Sequence, residues 1–265
     1  MKKVLIFILV LPVIVGSAQN PGSNHHLGQC NPKTMPVLWQ QTAAEYRALC
    51  YQAFNLATLR INAIPAKEIK KGNLAIVTDL DETIFDNSFN EAQLILDHQS
   101  YSDSNWKAWT RLHAAPALPG AVEFLKATHA RGISIFYISN RDTSEIKCTL
   151  ENLKALSLPC ADTAHLLLMS DASTKGPRRN RVMRYYRIVM LLGDNLNDFA
   201  SCFERKSVTE RSSEADKLKE EWGDKFIVLP NSTYGDWENA LYNYHKDFSA
   251  EAKDSIRTTL LKGYK

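Results

Sequence analysis

Short apolar runs alternate along this chain with longer segments whose apolar residues recur at helical spacing. Residues 37–61 carry that spacing with no internal Gly or Pro, which predicts one long helix. Lys70-Lys71-Gly72-Asn73 is a turn signal, and the compact β-prone run at 74–78 follows it. Pro119-Gly120 opens a helix over 121–130, and Gly132 is placed to stop it. Residues 133–138 then read as a strand, 143–156 as a helix, 166–169 as a short strand, and 178–186 as a helix. Two further buried runs, 188–192 and 226–229, complete the series, with Pro230 ending the last.

Strands alternating with helices predict an α/β fold, a doubly wound parallel sheet of Rossmann type with helices on both faces. In such sheets reactive groups collect beyond the carboxyl ends of the strands, near a topological switch point. Residues 73–265 make up that domain, and 36–72 form an N-terminal helical segment ahead of it. One stretch, about 84–118, breaks the alternation and carries Phe89, Tyr101, Trp106 and Trp109. Its place after the first strand predicts a small cap over the site.

The N-terminus changes the picture of where the protein works. Lys2 and Lys3 precede an apolar run at 4–15, too short to span a bilayer comfortably, and Gly16-Ser17-Ala18 supplies the small residues of a cleavage site. Residues 1–18 are therefore expected to be a signal peptide, against the competing reading of an uncleaved anchor, and 19–35 a flexible polar leader. The first cysteine is Cys30, too far on for a lipoprotein. The product is expected in the periplasm or secreted, with no stable membrane anchor.

Charge is nearly balanced at +3, and the basic residues are scattered apart from Arg178-Arg179-Asn180-Arg181. That cluster reads as a solvated helix face, so no nucleic-acid polymer is expected as partner. Five cysteines leave at least one unpaired within the chain. Cys148 with Cys160, and Cys30 with Cys50, are near enough in sequence to bridge, but only geometry decides. Small buried hydrophobes are an equal alternative.

The chemistry lies just past the strands. Asp79 and Asp81 follow the first, and positions i and i+2 of an extended segment point the same way. Two carboxylates that close repel unless a cation neutralises one or one keeps a proton. Asp194 and Asp198 form a second acidic pair after a different strand, and the two pairs together would make an all-oxygen site suited to Mg²⁺. Between them Ser139-Asn140 offers a hydroxyl and an amide at a strand end, and Lys175 offers a cation before a helix. Taken singly, each has a bland reading as a turn, cap or surface residue. His98, His113, His129 and His165 stand alone, and no Arg-His-Gly element is present, which turns attention from histidine to aspartate chemistry.

The order Asp79-x-Asp81-x-Thr83, Ser139, Lys175, then Gly193-Asp194-x-x-x-Asp198 resembles the four motifs of the haloacid dehalogenase-like superfamily, in its phosphatase branch. The chain further resembles bacterial class C nonspecific acid phosphatases, the group that includes lipoprotein 5′-nucleotidases. The shared segments run from Val37-Leu38-Trp39-Gln40-Gln41 and Glu45-Tyr46-Arg47-Ala48-Leu49 through Asp79-Leu80-Asp81-Glu82-Thr83 and Asp86-Asn87-Ser88. They continue with Trp106-x-x-Trp109, Pro119-Gly120-Ala121, Ser139-Asn140-Arg141, Gly193-Asp194-Asn195-Leu196, Leu229-Pro230-Asn231 and Tyr234-Gly235-x-Trp237-Glu238. Ser139 stands where that family often has threonine, with the hydroxyl kept, and Phe89-Asn90 departs from its proline and aromatic.

The resemblance implies an exported, Mg²⁺-dependent acid phosphatase working through a phosphoaspartyl intermediate. It makes Asp79 the nucleophile and Asp81 the acid–base. Thr83, Ser139, Asn140 and Lys175 would hold phosphate. The Asp79 carboxylate, the Asp81 main-chain carbonyl, Asp194 and Asp198 would hold the metal. A small phosphomonoester is the implied partner, with nucleoside 5′-monophosphates or nicotinamide mononucleotide favoured if Trp106 and Tyr234 touch a base. Aromatic packing within cap and core is the competing reading for those rings. A phosphotransferase using the same aspartate, a non-catalytic storage member of the fold and a homodimer all stay open.

Overall fold

The computed structural model describes residues 31–265. The signal-peptide reading of 1–18, most of the leader and Cys30 lie outside the described residues. Helices α1 (Thr34–Thr42), α2 (Ala44–Ala63) and the short α3 (Ala66–Ile69) precede β1 (Leu74–Thr78). Then come α4 (Ser88–Leu96), α5 (Asp103–Thr110) and α6 (Ala121–Ala130), leading to β2 (Ser134–Asp142). Next are α7 (Ile146–Ala155), β3 (Leu166–Met169), α8 (Gly176–Met183), β4 (Arg187–Gly193), α9 (Val208–Lys217) and β5 (Phe226–Val228). Finally α10 (Asp236–Leu241) and α11 (Ala250–Leu260) close the chain.

The five strands lie in the order β3-β2-β1-β4-β5 and every pairing is parallel. The chain winds outward from β1 to β3, then returns to the other side of β1, so the switch point falls between β1 and β4. All of β1 is buried because both faces are covered. Leu74 and Ile76 pack with Tyr46, Phe54 and Leu125 on one side, while Ala75 and Val77 pack with Phe136, Val182 and Phe199 on the other. This is why each strand reads as an unbroken apolar run rather than an alternation.

Two local expectations need correcting, and the question of the cysteines is decided. The long helix predicted over 37–61 breaks at Ala43, whose ψ of 127° is extended. The two pieces serve different neighbours, α1 packing on α4 and α2 on α6 and β5, and the Trp39 and Tyr46 rings meet edge-on at 5.2 Å across the break. The strand predicted at 133–138 runs on to Asp142, with irregular register against β3 beyond Ile138. Such irregularities re-aim side chains near sites. Cys148 and Cys160 do not bridge; Cys50, Cys148, Cys160 and Cys202 are free thiols. Among the described residues no helix is long and apolar enough to cross a membrane.

Candidate active site

The Asp79 N–H bonds the Leu192 carbonyl at 3.0 Å, carrying the β1–β4 ladder one residue beyond the strand. That bond sets Asp79 beside Gly193 and Asp194. The chain then turns tightly, Ile84 and Phe85 both donating to the Leu80 carbonyl at 2.8 Å, and Glu82 adopts a left-handed φ of 56°. For a non-glycine residue that conformation is uncommon and concentrates at functional sites. The turn sends the two neighbouring carboxylates to different partners.

Asp79 joins Asp194 and Asp198 in a cluster whose carboxylate oxygens lie within 4.8 Å of one another. Lys175, buried at the start of α8, pairs with Asp79 and reaches Asp198 at 2.7 Å. Asp198 is fixed by the Asn195 N–H at 3.1 Å, and a Cβ on Gly193 would lie 2.5 Å from the Asp198 Cβ, so only glycine fits there. Thr83 Oγ1 donates to Asp194 at 3.3 Å, and Asn231 Nδ2 donates to its other oxygen at 2.8 Å. Thr83, expected on phosphate, is in this structure a partner of Asp194.

The electrostatics of the cluster are those of too much buried negative charge. Burial pushes Asp79 well above the usual carboxylate range, against the pull of Lys175. Burial and then the Asp198 charge push Asp194 up to about 7. Burial opposes the charge on Lys175, but Asp198 and Asp79 outweigh it and raise the ammonium above its ordinary value. Three carboxylates and one ammonium leave an excess of negative charge, and the donors are all oxygen. This set fits a hard divalent cation. The Asp81 carboxylate is not part of the cluster.

Asp81 is held elsewhere. Arg141 donates from Nε at 3.1 Å to both carboxylate oxygens and from Nη2 at 2.7 Å to Oδ1. Asn87 Nδ2 adds a bond at 2.9 Å, and Ser139 Oγ donates at 3.3 Å. Asn140 is exposed, its side-chain oxygen accepting from Arg178 at 2.5 Å, while Arg178 Nη1 holds the Ser139 carbonyl at 2.6 Å. Arg179 is buried and donates to the Asp198 carbonyl at 2.8 Å. The basic cluster read as a solvated face is therefore in part a clamp on two site loops.

The aromatic residues divide. Trp109 Nε1 donates to Asn87 at 2.8 Å, and the side chain packs on the core. Trp106 is half-buried, with its ring 5.5 Å from the Arg141 guanidinium carbon. Tyr234 donates to the buried Glu82, whose carboxyl is driven well above its ordinary range by burial and then by Asp81. Lys33 lies 5.7 Å from the Tyr234 ring centroid. His98, His113 and His129 are exposed, and His165 stacks on Phe136 at 4.9 Å.

Sequence reasoning gave no role to Arg141, Asn87 or Glu82, although all three lie in segments it singled out. Their partners, Asp81 above all, become visible only once β2 is set beside β1.

A doubly wound sheet with a buried aspartate cluster and a lysine at its switch point defines a phosphatase of the haloacid dehalogenase-like class. The family model for the "HAD superfamily, subfamily IIIB (Acid phosphatase)" matches residues 18–237, and the chain belongs to that family. It is a phosphomonoesterase. A class C acid phosphatase from Bacillus anthracis is 41% identical, with a TM-score of 0.83 over 88% of this chain and 98% of that one. A class C acid phosphatase from the same organism with tungstate bound is 40% identical, with a TM-score of 0.82 over the same shares. The class C resemblance is thereby borne out.

Proposed function

We propose that the protein is an exported, Mg²⁺-dependent acid phosphatase that transfers phosphate to Asp79 and then to water, with nucleoside 5′-monophosphates as preferred esters. The observation that carries this is the division of labour between neighbouring carboxylates. Asp79 lies in the aspartate cluster with Lys175, and Asp81 lies outside it in a separate hydrogen-bond set. A nucleophile needs its charge offset, whereas a proton carrier whose oxygens bound the metal would have none free for the leaving group.

An Asp79 oxygen attacks phosphorus in line, and the ester P–O bond breaks with its electron pair on the leaving oxygen. Asp81 gives that oxygen a proton, releasing the alcohol. Water then attacks the phosphoaspartate and passes a proton to Asp81, freeing phosphate and restoring the Asp79 carboxylate. Lys175 and the Ser139 and Asn140 loop would hold phosphoryl oxygens. Bound Mg²⁺, held by Asp79, Asp194, Asp198 and the Asp81 main-chain carbonyl, would supply charge neutralisation. The tungstate complex of the relative supports an oxyanion site, since tungstate and phosphate are both tetrahedral oxyanions. Export rests on the N-terminal pattern of residues 1–18.

The preferred ester rests on two aromatic rings set against residues of the site, Tyr234 on Glu82 and Trp106 on Arg141. The test is kcat/KM for AMP against glycerol phosphate. A clear preference for AMP supports the reading, and equal values remove it.

A further inference from the structure

Arg141 is nearly fully buried, and its guanidinium ends on the Asp81 carboxylate. Its guanidinium carbon lies 5.1 Å from the Phe85 ring centroid and 5.5 Å from that of Trp106. Its fork closes on Asp81, and its remaining bond is Nη1 to Thr149 Oγ1 at 3.2 Å. The backbone feeds the same contact, since the Arg141 N–H donates to Ser139 Oγ, which itself donates to Asp81.

Burying an arginine with a carboxylate contributes little net stability, because desolvation cancels most of the attraction. What a planar two-pronged fork does supply is direction. We infer that Arg141 is a positioning residue that aims the Asp81 carboxylate at the leaving oxygen, and that Trp106 acts on turnover through it as the outer wall of the Arg141 slot. This rests on Asp81 being the proton donor of the reaction above. The consequence differs from base stacking alone: Trp106 should matter for esters that carry no base.

The test compares kcat/KM, which reads through phosphoryl transfer to Asp79, on two esters. Glycerol phosphate has an alkoxide leaving group that needs a proton, and 2,4-dinitrophenyl phosphate has a phenolate that does not. Arg141→Gln should lower the glycerol phosphate value on the order of 10²-fold, the lower end of what a general acid contributes, and leave the dinitrophenyl value little changed. Arg141→Lys, which keeps the charge but loses the fork, and Trp106→Ala should show smaller losses of the same selectivity, with tungstate inhibition unaltered. These two variants carry the test if Arg141→Gln does not fold. Equal losses on both esters, or no loss on glycerol phosphate, would overturn the inference. Asp81→Asn is the control on the underlying reading. If it fails to discriminate between the esters, the assignment of Asp81 falls; if it discriminates and the Arg141 and Trp106 variants do not, only the positioning role falls.

Discussion

Lys175 reaches Asp198 at 2.7 Å and, with the same ammonium nitrogen, donates to Asp79. One buried cation thus ties the residue beyond β1 to the loop beyond β4. It offsets part of the charge of the aspartate cluster and, in the proposed reaction, would hold phosphate against Asp79.

Lys175→Met should therefore do two separable things. In the metal-free protein it leaves buried carboxylates without their partner, a loss of about 3–5 kcal/mol measurable by urea unfolding. Added Mg²⁺ should restore much of that stability but not turnover of p-nitrophenyl phosphate. A metal-loaded variant with normal turnover would remove Lys175 from the phosphate site.

The pH dependence of the metal-free protein has a definite sign. Asp194 is pushed up to about 7 from an ordinary 3.8, and Asp79 shifts in the same direction. The folded state then keeps protons that the unfolded chain has released, so stability falls as pH rises through this window. Lys175, raised rather than lowered, stays charged throughout and adds no slope there. Urea midpoints should be lower at pH 8 than at pH 5 without metal, and Asp194→Asn should flatten the trend. A midpoint that rises with pH would contradict the electrostatics described.

Gly193→Ala should displace Asp198, because the added carbon would lie 2.5 Å from the Asp198 Cβ. Overpacking of this kind costs about 1–3 kcal/mol. The expected result is a lower urea midpoint together with weaker Mg²⁺ binding by calorimetry. Wild-type metal affinity in that variant would show that Asp198 does not act on the metal.

For the leaving group, Tyr234→Ala and Tyr234→Phe separate the ring from its hydroxyl. Loss of a stacking ring is worth about 1–3 kcal/mol per base, so kcat/KM for AMP should fall in the alanine variant while glycerol phosphate is little affected. The phenylalanine variant keeps the face and loses only the bond to Glu82, so it should keep most of its AMP preference. Equal losses on the two esters would make Tyr234 a structural residue.

How far the sequence could be read follows from what each feature depends on. The runs of β1 and β3 coincide with their strands because buried parallel strands need no alternation, and α6 is bracketed by Gly120 and Gly132, both at positive φ. The break at Ala43 is silent in sequence, since alanine favours the helix and only the differing neighbours of α1 and α2 demand a turn. Asp79, Asp194, Asp198 and Lys175 could be assembled from their order after strands. Arg141 could not, because an arginine beside a motif looks like any polar flank until a partner is found for it. The Thr83 bond to Asp194 is silent in sequence for the same reason, as it crosses from β1 to β4.

In the proposed reaction everything turns on the Asp79 carboxylate taking the phosphoryl group. The most direct test is to quench the metal-loaded protein in acid during steady turnover of p-nitrophenyl phosphate and map its peptides by mass. The prediction is one phosphate on the peptide carrying Asp79, fragmenting at that residue and absent from Asp79→Asn. Phosphate on another residue, or turnover retained by Asp79→Asn, would contradict it.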